Sequence, residues 1–378
     1  MIFKSVVVKV TNNCNFNCSY CYVFNKGDRS YAREPAKMSK DIAYALISRV
    51  KQHCLKHNID RFLFIFHGGE PLLMEESFYT YFVEQARIQL QSVAVGFALQ
   101  TNGSLLTEAK CSFLNNLNIQ VGISLDGPPD FNAFRVFRTT GMPAYDAIIK
   151  GASKVKENCS YGLRVLSVIN TKCSPCQIYT YFKELNAKSV SFLFPDTNHD
   201  RKEDDVSLVG NWLIELFDIW FFDKEKLEIQ PFRNIILKIL GHESVGNEVV
   251  GLTFNSVLNI RTDGGIEAVD SLKICKDGIT HTDYNVVTHE IDDVVGEELI
   301  NKYYFAHKEN VLHQNCCECE YLVVCGGGQL AHRYSEIDGF DNPSIYCNEM
   351  KLIIGHIQKR LYQKLPALKE RINLQELS

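Results

Sequence analysis

The chain has 378 residues, with 40 lysine and arginine residues against 45 aspartate and glutamate residues, so its formal net charge is −5. An apolar fraction of 46% and a charged fraction of 22% are ordinary for a globular protein, which excludes a disordered chain, a coiled coil and a collagen-like fibre. Mild acidity without a basic tail argues against nucleic acid as a partner. No run approaches the roughly 18 apolar residues of a membrane span, so we expect no membrane partner either.

Strand and helix patterns alternate through the first half of the chain. Runs rich in β-branched and aromatic residues predict six strands, at 5–11, 61–67, 95–101, 119–125, 161–169 and 189–194. Segments of helical period lie between them, and Ser39 is the expected N-cap of the first. Because parallel strands need crossover helices, the fold class is α/β. We expect a partial (β/α)6 barrel over residues 1–200, with an open doubly wound sheet as the alternative.

The pattern changes near residue 200, where the polar stretch 198–205 predicts a boundary. Beyond it we expect linking helices at 201–250 and a C-terminal domain at 251–378, which contains a cysteine-rich stretch and a last amphipathic helix. The N-terminus has no apolar signal region, which predicts a cytoplasmic protein. In a reducing compartment, clustered cysteines indicate metal or redox chemistry more often than disulfides.

Three of the 14 cysteines form Cys14-x3-Cys18-x2-Cys21 directly after the first strand. Loops at this end of barrel strands carry catalytic groups. A structural zinc site would need a fourth ligand, which this neighbourhood does not offer. A four-iron cluster held by three cysteines leaves one iron free for an outside ligand. With Tyr20 and Tyr22 flanking the last cysteine, CNFNCSYCY closely resembles the signature of the radical S-adenosylmethionine (SAM) superfamily.

The resemblance continues at the ends of the next three strands. His67-Gly68-Gly69-Glu70-Pro71 looks like the family's GGEP motif, while 101–103 and 124–127 look like its TNG and SxDG motifs. For Gly68 and Gly69 the alternative interpretation is an ordinary glycine turn. For Arg135, which follows the SxDG-like motif, the alternative is a surface ion pair. The residues that the resemblance implies for binding the amino group, ribose and carboxylate of SAM are Gly68, Gly69, Glu70, Asn102, Ser124, Asp126 and Arg135.

The C-terminal cysteines carry a second resemblance. Cys316-x2-Cys319-x5-Cys325, followed by Cys347, matches part of the SPASM pattern, a domain that adds iron–sulfur clusters to radical SAM enzymes acting on peptides and proteins. The match implies that these four cysteines ligate an auxiliary [4Fe-4S] cluster, with Cys317 as a competing ligand.

The chain departs from the full SPASM pattern at two positions, and it also has no cysteine near residues 250–256. Val269 and Gln329 stand where the family has cysteines of a second auxiliary cluster, so we expect one auxiliary cluster and not two. The strings at 325–335 and 339–347 resemble the group of radical SAM/SPASM peptide maturases that form cyclophanes, and Asp270 fits the same group.

This resemblance implies a radical SAM enzyme that joins an aromatic ring carbon to a Cβ in a ribosomally made precursor peptide. Its expected cofactors are SAM, the SAM-binding [4Fe-4S] cluster and the auxiliary cluster. The implied catalytic base is Asp270, for which a turn-capping role is the alternative. An electron donor such as flavodoxin or ferredoxin is the second expected partner. Two alternatives remain open: a sulfatase-maturing enzyme that forms formylglycine, and an iron–sulfur redox scaffold that does not turn over.

Overall fold

A computed structural model of the chain describes residues 2–201, 205–242, 248–252, 257–305 and 311–365. The residues group into two compact units. The first unit comprises Met1–Val168, Asn186–Asp196 and Asn255–Ala306, and the second comprises Ile169–Leu185, Thr197–Phe254 and His307–Ser378. Both units are therefore assembled from segments that are separated in sequence.

The first unit is built on a sheet whose strands follow the order β10-β9-β8-β1-β2-β3-β4-β5-β6. Its strands are β1 (Ser5–Thr11), β2 (Arg61–Gly68), β3 (Ala94–Thr101), β4 (Ile119–Ser124), β5 (Leu163–Val168), β6 (Ala187–Leu193), β8 (Val257–Ile260), β9 (Gly265–Glu267) and β10 (His281–Asn285), while β7 (Glu228–Ile229) belongs to the second unit. Strands β1 to β6 pair in parallel and in chain order. The predicted α/β fold with a parallel partial barrel is confirmed.

The sequence pattern indicates short β-like pieces and turns over residues 252–290, but it does not predict that β8 joins the sheet beside β1. Strand β8 pairs in parallel with β1 on the side opposite to β2, with Val8 beside Ile260. Strands β9 and β10 then extend the sheet in antiparallel fashion. The segment after β6 therefore returns to the first strand of the sheet and places residues 257–285 next to it.

The described helices follow the expected crossovers. Those of the first unit are α1 (Lys40–Lys56), α2 (Glu76–Gln89), α3 (Glu108–Asn116), α4 (Tyr145–Asn158) and α8 (Glu298–Ile300). Those of the second unit are α5 (Pro175–Glu184), α6 (Val209–Phe222), α7 (Gln230–Ile239), α9 (Gln314–Cys317), α10 (Leu322–Cys325) and α11 (Cys347–Lys364). The Ser39 hydroxyl accepts from the Ile42 amide, which confirms the predicted N-cap of α1.

The two faces of the sheet differ in chemistry. Phe64 and Phe66 of β2 are fully buried and pack edge-on against Phe82 of α2. Side chains alternate along a strand, so His67 points to the opposite face, and its β1 partner in the parallel register is Lys9. Lys9 and His67 therefore lie on the face away from Phe82 and α2.

The second unit is held by packing among its helices. Asp218 of α6 accepts hydrogen bonds from His356 and Arg360 of α11, at 2.8 Å from the Arg360 Nε. In the part of the chain that the structure describes, no helix is both long and apolar enough to cross a membrane.

Candidate functional site

The loop that follows β1 is tied closely to the end of β2. The amides of Gly69 and Glu70 donate to the carbonyl oxygens of Thr11 and Asn13, each at 2.7 Å. A Cβ on Gly68 would overlap the Thr11 carbonyl, and a Cβ on Gly69 would overlap the Asn13 carbonyl. The paired glycines are needed for this close approach of two backbones, which is a more specific role than an ordinary turn.

Cys14, Cys18 and Cys21 are brought together by this loop, since the charge on each nearby thiolate contributes to raising the pKa of Cys14. Burial is the main cause and raises the pKa of Cys14 to about 12 and that of Cys18 to about 11. Thiols with such pKa values are protonated at neutral pH, and a bound metal centre is what turns them into thiolate ligands.

The spacing of these thiols distinguishes between kinds of metal centre. In the part of the chain that the structure describes, the sulfur atoms of Cys14, Cys18 and Cys21 do not all lie within 4.8 Å of one another. Thiolates on one tetrahedral zinc ion would lie about 3.8 Å apart, given Zn–S bonds of about 2.3 Å. The wider spacing fits a multi-iron cluster better than a single ion.

Arg135 supplies positive charge beside the cysteine loop. It is 6% exposed and its Nε donates to Asp126 at 2.8 Å, while its guanidinium lies 5.4 Å from the centre of the Tyr20 ring. The Tyr20 hydroxyl donates a hydrogen bond to the same carboxylate. The positive charge of Arg135 favours the thiolate form of Cys18. The ion pair expected as the alternative for Arg135 is therefore present, but it is buried and not on the surface.

Arg138 contacts the cysteine loop and was missed by sequence reasoning. Its Nε donates to the Cys14 carbonyl at 3.1 Å, and its guanidinium lies 4.9 Å from the Phe24 ring centre. Burial raises the pKa of Cys21, and the positive charge of Arg138 opposes that rise. The available signal was a second arginine, three residues after Arg135, in the same loop.

Glu70 organises the neighbouring motif. It is 1% exposed, and its carboxylate accepts from the Leu72 amide at 3.0 Å, the Thr101 hydroxyl at 2.7 Å and the Asn102 amide at 2.8 Å. Burial raises the pKa of Glu70. Because hydrogen-bond donors of the protein surround the carboxylate, Glu70 positions the loop after β3. The expected contact of Glu70 with the SAM amino group stays a prediction.

The remaining motif residues also lie at the carboxyl ends of β3 and β4. The Asn102 side chain donates to Asn15 of the cysteine loop at 2.8 Å. The Ser124 hydroxyl accepts from Gln100 at 2.9 Å, and Asp126 accepts from the Val168 amide at 2.9 Å. The structure thus brings the predicted SAM-binding motifs to one edge of the sheet, beside the cysteine loop.

Asp270 begins a 3₁₀ turn, Asp270–Ile274, just after β9. It is 6% exposed, and one carboxylate oxygen lies 2.6 Å from the Nζ of Lys9 on β1. Val269 is the N-cap of this turn, and the Asp270 carboxylate contacts Lys9, while the turn-capping alternative for Asp270 stays open. Lys9 was missed by sequence reasoning, although a lysine inside the apolar run VVVKV was a usable signal.

The second unit brings the four predicted auxiliary cysteines together. Burial raises the pKa of Cys325 to about 11, and the charges of Cys347, Cys316 and Cys319 contribute in the same direction. Cys317 also contributes to the pKa of Cys316, but it is exposed. These donors fit a second iron–sulfur centre.

Glycine and arginine residues shape the backbone around this cysteine set. Gly326, Gly327 and Gly328 all have positive φ, and a Cβ on Gly326 would overlap the Gly251 carbonyl. Arg333 is 4% exposed and donates to the Phe340 carbonyl at 2.7 Å. Arg333 therefore holds the 339–347 loop against the 3₁₀ turn Leu330–Arg333.

The chain is similar to known proteins in sequence and in fold. Residues 8–171 match the family model of the radical SAM superfamily. The cysteine-type anaerobic sulfatase-maturating enzyme of Clostridium perfringens is 24% identical over 375 residues, covering 94% of this chain and 97% of that protein. The serine-type enzyme of Bacteroides thetaiotaomicron is also 24% identical, covering 91% of this chain and 86% of that protein.

A solved structure has the same fold. The native protein anSMEcpe, with bound AdoMet and Cp18Cys peptide, superposes with a TM-score of 0.80 at 22% identity, covering 95% of this chain and 98% of that chain. AdoMet is SAM, so the fold of this chain is one that holds SAM and a peptide together in another protein.

Proposed function

This protein is a radical SAM enzyme, and from that premise we propose that it oxidises one residue of a peptide or protein substrate at its Cβ. Its cofactors are SAM and a [4Fe-4S] cluster, and Cys14, Cys18 and Cys21 are the residues that would hold the cluster. The first candidate reaction is the conversion of cysteine or serine to formylglycine. The similarity to cysteine-type and serine-type sulfatase-maturating enzymes over more than 90% of the chain supports it.

The observation that carries the proposal is the position of Asp270. Lys9, which lies 2.6 Å from the Asp270 carboxylate, is on β1, and the cysteine loop follows that strand directly. The carboxylate therefore lies near the carboxyl end of β1, which supports a role for it beside the proposed cluster. Oxidation of a hydroxyl or thiol carbon requires removal of a proton from the heteroatom, and a carboxylate in this position can accept it.

When bound, SAM and the cluster held by Cys14, Cys18 and Cys21 would supply the one-electron oxidant that removes one hydrogen atom from the substrate Cβ. Asp270 accepts the proton of the adjacent hydroxyl or thiol, and one electron remains to be removed from the substrate. For serine the product is the aldehyde, with two hydrogens lost. For cysteine the product is a thioaldehyde, which water converts to the aldehyde with release of hydrogen sulfide.

The remaining electron requires an acceptor. We propose that residues 251–378 include a SPASM-like auxiliary-cluster domain in which Cys316, Cys319, Cys325 and Cys347 hold one [4Fe-4S] cluster. The shared burial and mutual charge effects of these thiols support it. A flavodoxin or ferredoxin is the proposed external electron donor.

A second candidate reaction is cyclophane formation, in which the Cβ radical bonds to an aromatic ring and the ring then loses a proton and an electron. The resemblance of 325–335 and 339–347 to cyclophane-forming maturases favours it. Gln329 and Val269 stand where the full SPASM pattern has cysteine ligands of a second auxiliary cluster, and the loss of that cluster counts against formylglycine formation. Gln329 contacts Glu248 at 3.5 Å, and Val269 is the N-cap of the turn that begins at Asp270.

The deciding experiment uses matched peptides that differ at one position, which is cysteine, serine or alanine, with and without a neighbouring tryptophan. Each is incubated with anaerobically reconstituted enzyme, SAM and reductant, and analysed by tandem mass spectrometry. Aldehyde at the cysteine or serine position supports formylglycine formation. A crosslink is supported if a peptide loses two hydrogens only when the tryptophan is present, and still does so when the varied position is alanine. SAM cleavage without any change in the peptides tested contradicts both.

A further inference from the structure

A buried cluster of charged side chains connects β1 and the loop after it to the hairpin of β9 and β10. We call Lys9, Asp28, Glu267, Asp270 and Lys273 the hairpin charge cluster. Their side chains are at most 8% exposed. Lys9 pairs with both Glu267 and Asp270, and Lys273 pairs with Asp28 at 3.1 Å and with Glu267 at 3.4 Å.

The two lysines have different partners, although they share Glu267. Lys9 contacts Asp270, whereas the carboxylates paired with Lys273 are Asp28 and Glu267. Burial alone would lower the pKa of Lys9, but the charges of Asp270 and Glu267 outweigh it and hold that pKa above its ordinary value. Lys9 is therefore an ammonium ion held beside Asp270.

The other groups that face Asp270 leave Lys9 as its cationic neighbour. Burial lowers the pKa of His67 on β2, which keeps that imidazole neutral, and its Nδ1 has no hydrogen-bond partner among the described residues. Glu267 on β9 is an anion, since Lys9 and Lys273 outweigh its burial and lower its pKa to about 2. In the described part of the chain, the positive charge in contact with Asp270 comes from Lys9.

We propose that Lys9 is a positioning residue that keeps Asp270 ionised and correctly oriented to accept the substrate proton. This inference rests on the proposed function, in which Asp270 is the base. A carboxylate in a buried site takes up a proton readily unless an opposite charge stabilises its ionised form. Lys9 supplies that charge from the strand that leads into the cysteine loop.

The second carboxylate on Lys9 allows the proton transfer to be reversed. When Asp270 takes the proton from a substrate hydroxyl or thiol, it becomes neutral and its ion pair with Lys9 is lost. Glu267 remains paired with Lys9, so the ammonium is not left buried without a counter-charge. One ammonium shared by two carboxylates therefore lets one of them change charge during each turnover.

The test compares Lys9→Met with Lys273→Met in the reconstituted holoenzyme. Methionine keeps much of the length of the lysine stem and removes the charge. We expect Lys9→Met to retain its iron and its substrate-free SAM cleavage, while product formation at neutral pH falls by roughly 10- to 100-fold. The acidic limb of the kcat/KM profile should move to higher pH. Lys273→Met removes a buried ammonium from the same cluster and should leave that limb in place.

Three results would overturn the inference: an unchanged pH profile in Lys9→Met, an equal displacement in Lys273→Met, and loss of iron in Lys9→Met. A further loss on combining Lys9→Met with Asp270→Asn would also count against it, because the two residues would then act independently.

A measurement without substrate separates this inference from the proposed function. Infrared difference spectra recorded across pH, with Asp270→Asn as the reference, isolate the carboxylic acid band of Asp270. The band should appear at higher pH in Lys9→Met than in the parent. If that displacement is found but no peptide is modified, the proposed function fails and the role of Lys9 stands. If the band appears at the same pH, the role of Lys9 fails.

Discussion

Replacement of Glu70 by glutamine tests how the site is organised. The carboxylate accepts three hydrogen bonds, two at one oxygen from Leu72 and Thr101 and one at the other oxygen from the Asn102 amide. A glutamine side chain has one acceptor oxygen and one NH2 group, so in either orientation at least one donor of the protein faces another donor. Hydrogen bonds to charged groups contribute about 1.5–3 kcal/mol each, and Glu70 is 1% exposed.

The loss should appear in SAM affinity and not in cluster content. If the whole cost of about 1.5–3 kcal/mol falls on the order of the Thr101–Asn102 loop, the Kd for SAM should rise roughly 10- to 100-fold. The assay is equilibrium dialysis with labelled SAM on reconstituted protein, alongside iron analysis. Glu75→Gln is the matched control, because Glu75 is exposed and pairs with Lys37. Parent-like SAM binding by Glu70→Gln would refute the reasoning, and so would an equal loss in Glu75→Gln.

Three further predictions concern the clusters, the base and acid stability. Reconstituted protein should bind roughly eight iron atoms per chain, and changing Cys14, Cys18 and Cys21 together to alanine should halve the iron and abolish SAM cleavage; about twelve iron atoms would mean an additional cluster. Asp270→Asn should keep its iron and SAM cleavage but lose product by roughly 10²–10⁴-fold in the peptide mass-spectrometry assay, and full activity would leave the base unassigned. The pKa of Glu267 is lowered from 4.5 to about 2, because Lys9 and Lys273 outweigh the effect of burial, so its stabilisation is present above pH 4.5 and is lost as the pH falls toward 2. The free energy of unfolding of the parent, measured in urea, should therefore exceed that of Lys273→Met by less at pH 3 than at pH 5. A difference between parent and variant that stays constant over this range would contradict the prediction.

The sequence by itself determined the features that depend on neighbouring residues. Apolar runs with β-branched residues located the first six strands to within about two residues, and Ser39 located the start of α1. The spacing of Cys14, Cys18 and Cys21 indicated a metal centre, because ligands this close in sequence cannot lie far apart. Local periodicity and local spacing do not depend on how distant segments pair.

The tertiary structure decided which distant residues meet. The insertion of β8 beside β1 brings Glu267 and Asp270 to Lys9, more than 250 residues earlier in the chain, and no local pattern predicts which strand a returning segment will join. Burial likewise decided the role of Glu70, because a GGEP motif in the sequence does not reveal that three protein donors surround its carboxylate. Strand pairing and burial arise from the packing of the whole sheet, so they become visible only when the chain is folded.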